Sequence, residues 1–224
     1  MKTLLPLAAL ALAWPFSLHA ETIGFDDVAP GVTPPGWITG VTGGGTHRWT
    51  IAADDAAPSG RNVLRQSAVG AFPWIVRQGV RLLDGYVEVK FAPQSGREDQ
   101  AGGVVWRFQD GGNYYVARAN ALEDNVSIYY VTGGSRRTIL YVDAKSFGGE
   151  VSRNRWHTLR VEFHGRRHTV FLDGRKALEV DDDLAHVPAA LQMAQCIGQL
   201  LEAVAAVDHG SQPVKIDGTV HRLE

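Results

Sequence analysis

The chain has 224 residues, with 22 Lys and Arg against 24 Asp and Glu and a formal charge of -2. So even a balance provides no long-range attraction for nucleic acid or anionic lipid, and neither is expected as a partner. A single cysteine, Cys196, excludes an internal disulfide, so stability must come from packing.

In chain order, Met1-Lys2-Thr3 forms a short positive start, residues 4–14 an apolar run interrupted by Pro6, and Ser17-Leu18-His19-Ala20 a small-residue exit. This pattern predicts a secretory signal over 1–20, cleaved before Glu21, and a periplasmic or secreted product. The apolar run falls short of the ~20 residues that cross a bilayer as a helix, so no transmembrane segment is expected. The remaining length suits one domain and a monomer.

Residues 22–25, 37–41, 47–52 and 62–66 read as short strands, with the glycine run Gly43-Gly44-Gly45 between the second and third. From residue 83 the strands lengthen. Val87, Val89 and Phe91 alternate with Glu88 and Lys90, and Leu159, Val161 and Phe163 alternate with Arg160 and Glu162. Turns at Asp110-Gly-Gly-Asn113, Thr132-Gly-Gly-Ser135 and Asp173-Gly174 separate the runs. Period-two alternation broken by glycine turns predicts an all-β antiparallel sandwich over 21–183.

The tail over 184–224 changes character. Leu191, Met193, Ala194, Ile197, Leu200, Leu201, Val204 and Val207 recur at spacings near three and four, which predicts a helix over 189–207. Deletion after Asp183 is accordingly expected to cost less stability than loss of any strand over 83–180.

Several motifs carry a resemblance: Asp84-Gly-Tyr-Val-Glu-Val-Lys90, Ser95-Gly-Arg-Glu-Asp-Gln-Ala-Gly-Gly-Val-Val-Trp-Arg107, Asn113-Tyr-Tyr-Val-Ala-Arg-Ala-Asn120 and Trp156-His-Thr-Leu-Arg-Val-Glu-Phe163. Together they resemble exported bacterial proteins with a concanavalin A-like lectin/glucanase fold, close to the 3-keto-disaccharide hydrolase domains. The resemblance implies a jelly-roll sandwich and carbohydrate chemistry. That family closes its sheets with a further Gly-rich strand and a return strand beside the first, and the helical pattern stands in that place here.

Alternation along 114–120 sets Tyr114, Val116, Arg118 and Asn120 on one face and Tyr115, Ala117 and Ala119 on the other. The second set suits an interior, which leaves Tyr114, Arg118 and Asn120 on the open face. Arg and Asn side chains match the hydroxyls or carboxylate of a sugar. Trp106 is a candidate stacking platform for a sugar ring and fits a core position equally well, and Arg118 also suits an ion pair with Glu88 or Asp124.

For glycoside hydrolysis the nearest carboxylates are Glu98, Asp99, Glu123 and Asp124, with Glu98 and Glu123 the candidate catalytic pair. The chain lacks the compact Glu-x-Asp-x-x-Glu strand pattern of the glucanases that share this fold. No cofactor is expected, although Asp26-Asp27 and Asp181-Asp182-Asp183 supply oxygen ligands of the kind a structural calcium takes. A carbohydrate-binding protein is the leading expectation, a hydrolase of a disaccharide or related glycan the alternative, and a structural envelope protein the third.

Overall fold

The computed structural model describes residues 20–80, 82, 84–182, 201–206 and 211–222, of which 20, 21 and the last two segments are described by backbone alone. The signal expected over 1–20 therefore lies almost wholly outside the described residues, as do 189–200 and 207 of the expected helix.

Strands are numbered in chain order. One sheet runs β13 (Arg175–Asp181), β12 (Arg167–Leu172), β11 (His157–His164), β6 (Gly85–Gly96), β15 (Ser211–Arg222), β4 (Asn62–Gln66) and β3 (Trp49–Ala53), with β1 (Ala20–Ile23) also paired to β15. The other runs β10 (Ser135–Asp143), β9 (Asn125–Thr132), β8 (Asn113–Asn120), β7 (Ala101–Asp110), β14 (Leu201–Ala206), β5 (Gly70–Arg77) and β2 (Trp37–Gly45). Every pairing is antiparallel. The glycine turns set this geometry: Gly133 and Gly134 both hold positive φ between β9 and β10, a conformation glycine adopts without steric cost.

Alternation becomes packing between the sheets. Val87, Val89 and Phe91 of β6 and Leu159, Val161 and Phe163 of β11 meet Val104, Trp106, Tyr115, Ala117, Ala119, Val126 and Ile128 from the opposite sheet. Burying a large apolar side chain contributes roughly 1.5–3 kcal/mol, so this interior dominates stability. Gly102 permits the close approach, because a Cβ there would lie 2.5 Å from the Phe91 ring.

The outer face of the seven-stranded sheet carries a second apolar cluster, in which Trp74, Val76, Val105, Phe108, Tyr114, Val116, Tyr129 and Val131 pack together. Strict alternation along β7 would send Trp106 and Phe108 to the same side. A bulge between Trp106 and Asp110, with Arg107 at φ 50°, shifts the parity, so Trp106 faces the interior and Phe108 the outer cluster.

The tail corrects the expected helix. Residues 201–206 form β14 between β5 and β7, and 211–222 form β15 between β4 and β6; the described residues contain no α-helix, only a 3-10 turn at Ala144–Phe147. β15 pairs with β6 from Ser211 opposite Gly96 to Arg222 opposite Gly85, and returns beside β1 with Gly218 opposite Ile23. A strand with a neighbour on each side draws its hydrogen bonds from both, and that pairing outweighs three-and-four spacing within an apolar run. Val214 and Ile216, alternating with Lys215 and Asp217, already carried the strand period.

Because the two terminal strands stand inside both sheets, removal of residues 184–224 is expected to abolish the cooperative thermal transition, reversing the expectation from the helical pattern. Calorimetry of the truncated and full mature chains checks this, and a truncated chain that still melts cooperatively near the full-length midpoint would contradict it.

A buried imidazole gives a second prediction. His168 on β12 is fully enclosed, its ring 5.6 Å from Trp106 and 5.4 Å from Tyr115, and among the described residues neither ring nitrogen has a hydrogen-bond partner. Burial first, and the charge of Arg107 second, push its pKa down to about 3, against the opposing pull of Asp181. The folded protein thus keeps His168 neutral, whereas the unfolded chain takes up a proton below about pH 6.5. Stability from this group is intact above pH 6.5 and declines by roughly 1.4 kcal/mol per unit as pH falls toward 3. His168→Leu should flatten urea-measured stability between pH 6.5 and 4 relative to wild type; an identical slope would show that His168 is not the responsible group.

Candidate functional site

At one end of the seven-stranded sheet the ladder aligns four polar residues. Asn120 on β8 stands opposite Asn125 on β9, and Arg118 opposite both Ser127 on β9 and Gly103 on β7. Gly103 is required here, since a Cβ would press into the Ala117 carbonyl of β8. Two turns complete the group: the β6–β7 turn contributes Asp99, and the β8–β9 turn contributes Glu123 beside Asp124, whose φ of 52° bends the chain.

These residues form one network. The Arg118 guanidinium reaches Asp99 Oδ1 at 3.2 Å through Nη1 and Glu123 Oε2 at 3.3 Å through Nη2, and Nε donates to the Tyr129 hydroxyl at 3.2 Å. Asn120 Nδ2 donates to Asp99 Oδ1 and to Glu123 Oε2, the latter at 3.0 Å, and Asn125 Nδ2 donates to Glu123 Oε2 at 2.6 Å. The Asn120 carbonyl in turn accepts from the backbone N–H groups of Gln100 and Leu122, both at 3.1 Å, which fixes the amide's orientation and joins the two turns.

Burial raises the stakes of each contact. Arg118 is 6% exposed and Asn120, Asn125 and Ser127 are fully enclosed, while the Glu123 side chain is 46% exposed. One guanidinium thus faces two carboxylates, and the outer carboxylate opens to solvent. Among the described residues, three oxygens in this region have no hydrogen-bond partner: Gln100 Oε1, Asn125 Oδ1 and Ser127 Oγ. Unanswered buried oxygens are costly, at about 1–3 kcal/mol each.

The structure treats the sequence candidates unequally. Arg118 and Asn120 come together in the network, and the carboxylates on them are Asp99 and Glu123; Glu98, the neighbour of Asp99, is exposed in the β6–β7 turn. The alternative ion-pair partners of Arg118 are occupied otherwise. Glu88 lies 4.0 Å from Arg160, and Asp124 Oδ1 accepts from the Val151 N–H at 2.8 Å.

Trp106 as a sugar platform is corrected. It is fully buried between the sheets, stacked with Tyr115 at 5.6 Å and Phe163 at 6.3 Å, because the β7–β8 register sets it opposite Tyr115 on the interior face. Tyr114 faces the outer cluster, but its hydroxyl donates to Thr42 Oγ1 at 3.0 Å. The same oxygen accepts from Trp74 Nε1 at 3.2 Å and donates to the Gly111 carbonyl. Tyr114 therefore braces β2 against β8.

Three carboxylates of the acidic runs weighed for calcium have partners, and Asp183 lies outside the described residues. Asp26 Oδ1 accepts from the N–H groups of Arg61 and Asn62 at 2.8 and 2.9 Å, Asp181 pairs with Arg167, and Asp182 accepts from the Tyr115 hydroxyl at 2.8 Å. Among the described residues no three His, Cys, Asp or Glu side chains gather as metal ligands. Sequence reasoning passed over Tyr129, Asn125 and Ser127. Their placement comes only from the β8–β9 register, which a two-residue change in the connecting turn would have altered.

No family model and no curated protein matches the chain. Solved structures do. The carbohydrate binding module CBM66 from Bacillus subtilis superposes with a TM-score of 0.60 at 17% identity, over 82% of this chain and 93% of that one. A prokaryotic beta-1,3-1,4-glucanase (lichenase) derived from a mouse hindgut metagenome gives 0.52 at 12% identity, over 92% and 99%. The laminarinase catalytic domain from Thermotoga maritima gives 0.51 at 13%, over 92% and 99%. At these identities the likeness is one of fold, and the narrower resemblance to 3-keto-disaccharide hydrolase domains has no matching family model behind it. The chain shares the two-sheet antiparallel sandwich fold of these structures.

Proposed function

We propose that this protein is an exported carbohydrate-binding sandwich whose glycan site is the Arg118 network. One observation carries the proposal: a guanidinium held between Asp99 and Glu123, with the Asn120 amide on both carboxylates, the Asn125 amide on Glu123, and the Glu123 side chain 46% exposed at the mouth of the network. Sugars present dense hydroxyl groups that both donate and accept, and fixed carboxylates, amides and hydroxyls match them with little reorganisation. The likeness to a carbohydrate binding module and to two glucanases supports the same chemistry at the level of fold. In this proposal residues 1–20 direct export to the periplasm or beyond, and the mature monomer begins at Glu21. Among the described residues no helix is long and apolar enough to cross a membrane.

A hydrolase needs two carboxyl groups across the scissile bond, about 5 Å apart for retention or about 6.5–9.5 Å for inversion. The spacing of Asp99 and Glu123 is compatible with retention, but both accept from the Asn120 amide nitrogen and both face the Arg118 guanidinium, so each carboxylate is engaged as part of a holding pair. Binding without turnover is the reading this arrangement favours.

The test is glycan-array screening followed by calorimetric titration of the best oligosaccharide. Glu123→Gln keeps the side chain's shape and removes its charge, and Arg118→Lys keeps the charge and removes the planar fork. Each should weaken affinity about ten- to hundredfold, the worth of a charge-assisted hydrogen bond, with a thermal midpoint lowered by about 2–4 °C. Wild-type affinity in both folded variants would overturn the site. Release of reducing ends by wild type, lost in Glu123→Gln while the sugar still binds, would establish the hydrolase instead.

A further inference from the structure

A cleft opens between the loop after Ala144–Phe147 and the β12–β13 turn. It has a volume of about 430 Å³ and is lined by Gly148, Gly149, Glu150, Arg155, Asp173 and Arg175. The loop that forms one wall is fastened to the turn carrying Glu123: Ala144 N–H donates to the Asp124 carbonyl and Val151 N–H to Asp124 Oδ1, both at 2.8 Å. The other wall is the β12–β13 hairpin turn, where Asp173 and Gly174 hold positive φ. Gly148, at φ 70°, leaves the space that Arg175 takes, since a Cβ there would come within 3.1 Å of Nη1.

Both carboxylates of the cleft already have partners. Asp173 Oδ2 bonds His157 Nδ1 at 2.8 Å and its Oδ1 accepts from the Thr158 N–H at 2.7 Å; Glu150 Oε1 accepts from Ser152 Oγ at 2.8 Å. His157 is itself anchored, with Nε2 accepting from the Ser152 N–H at 2.9 Å. Burial works to raise the Asp173 carboxyl, and the bonds from His157 and Thr158 outweigh it and hold it below its ordinary range. Among the described residues, neither the Arg155 nor the Arg175 guanidinium has a carboxylate within ion-pair distance. Arg155 is near enough to Asp173 to help hold its carboxyl down, but no carboxylate among the described residues takes up either planar donor fork in an ion pair.

The geometry points to an acid-sugar subsite: Arg155 and Arg175 receive the carboxylate of a uronic-acid residue, in a cleft large enough to hold its ring. A guanidinium fork matches a carboxylate through two parallel hydrogen bonds, a selectivity that neutral hydroxyl groups do not provide. Pockets for small ligands start near 300 Å³, so a single sugar ring fits this volume. The subsite rests on the carbohydrate-binding reading of the protein, and not on the Arg118 network as the place where the rest of the glycan sits.

The experiment titrates the mature chain with an oligogalacturonide and with its fully methyl-esterified form, which differ in charge and hardly in shape, with sodium sulfate as competitor. Wild type should prefer the acid by about tenfold or more, and Arg155→Gln and Arg175→Gln should each erase most of that preference while leaving ester affinity unchanged. Both arginines are exposed, so the variants should fold. Glu123→Gln should weaken acid and ester alike and preserve their ratio. Equal affinity for acid and ester in wild type, or no binding of either, overturns the subsite, as does a preference that survives in the Arg155→Gln/Arg175→Gln double variant. Sulfate displacing the acid at equal concentration would also overturn it, because the cleft would then read charge alone. A preference lost with the arginines but indifferent to Glu123→Gln would uphold the subsite and count against the Arg118 site.

Discussion

Backbone N–H and C=O groups in the middle of a sheet must be paired, and in this chain the pairing at the centre of both sheets is made by the last two strands. β14 separates β7 from β5, and β15 separates β6 from β4 while also covering β1. Sequence-distant segments therefore close the sandwich, and the long hairpin array from β6 to β13 has its two inner edges, β6 and β7, satisfied only when the tail arrives. The site inherits this constraint. β7 supplies Gly103 opposite Arg118, and its far side is the edge that β14 occupies.

On that frame the chemistry is arranged by charge and burial. An enclosed arginine is stable only with its donors answered, and Asp99, Glu123 and Tyr129 answer them from two turns and a neighbouring strand. The Tyr129 ring lies between two guanidinium groups, 5.5 Å from Arg118 and 4.4 Å from Arg136, which ties the site to the outermost strand of its sheet. Among the described residues the oxygens of Asn125 and Ser127 find no partner. The half-exposed Glu123 is the member of the network through which the proposed glycan would be met.

Much of the fold was legible because period two is a local signal. Val87, Val89 and Phe91, or Leu159, Val161 and Phe163, name their own buried face; the face of Arg118 and Asn120 was separable from that of Ala117 and Ala119 on the same ground, but the openness expected of it is not found, since Tyr114, Arg118 and Asn120 are all buried. Illegible features were those decided by partners. The strand state of 201–206 depends on β5 and β7, and the burial of Trp106 alongside Phe108 on the opposite face depends on the bulge at Arg107. The choice of Asp99 over Glu98 depends on how the β6–β7 turn presents two adjacent carboxylates, which no spacing rule distinguishes.

The most direct test of the central claim tracks side-chain resonances while the preferred glycan is added. The Arg118 Nε–Hε signal and the Asn120 and Asn125 amide pairs should shift first and saturate together, because the network shares the Glu123 carboxylate and moves as one unit. Shifts confined to Thr158 and Arg160, which line a separate cavity of about 290 Å³ on the eight-stranded sheet, with the Arg118 network unmoved, would contradict the account.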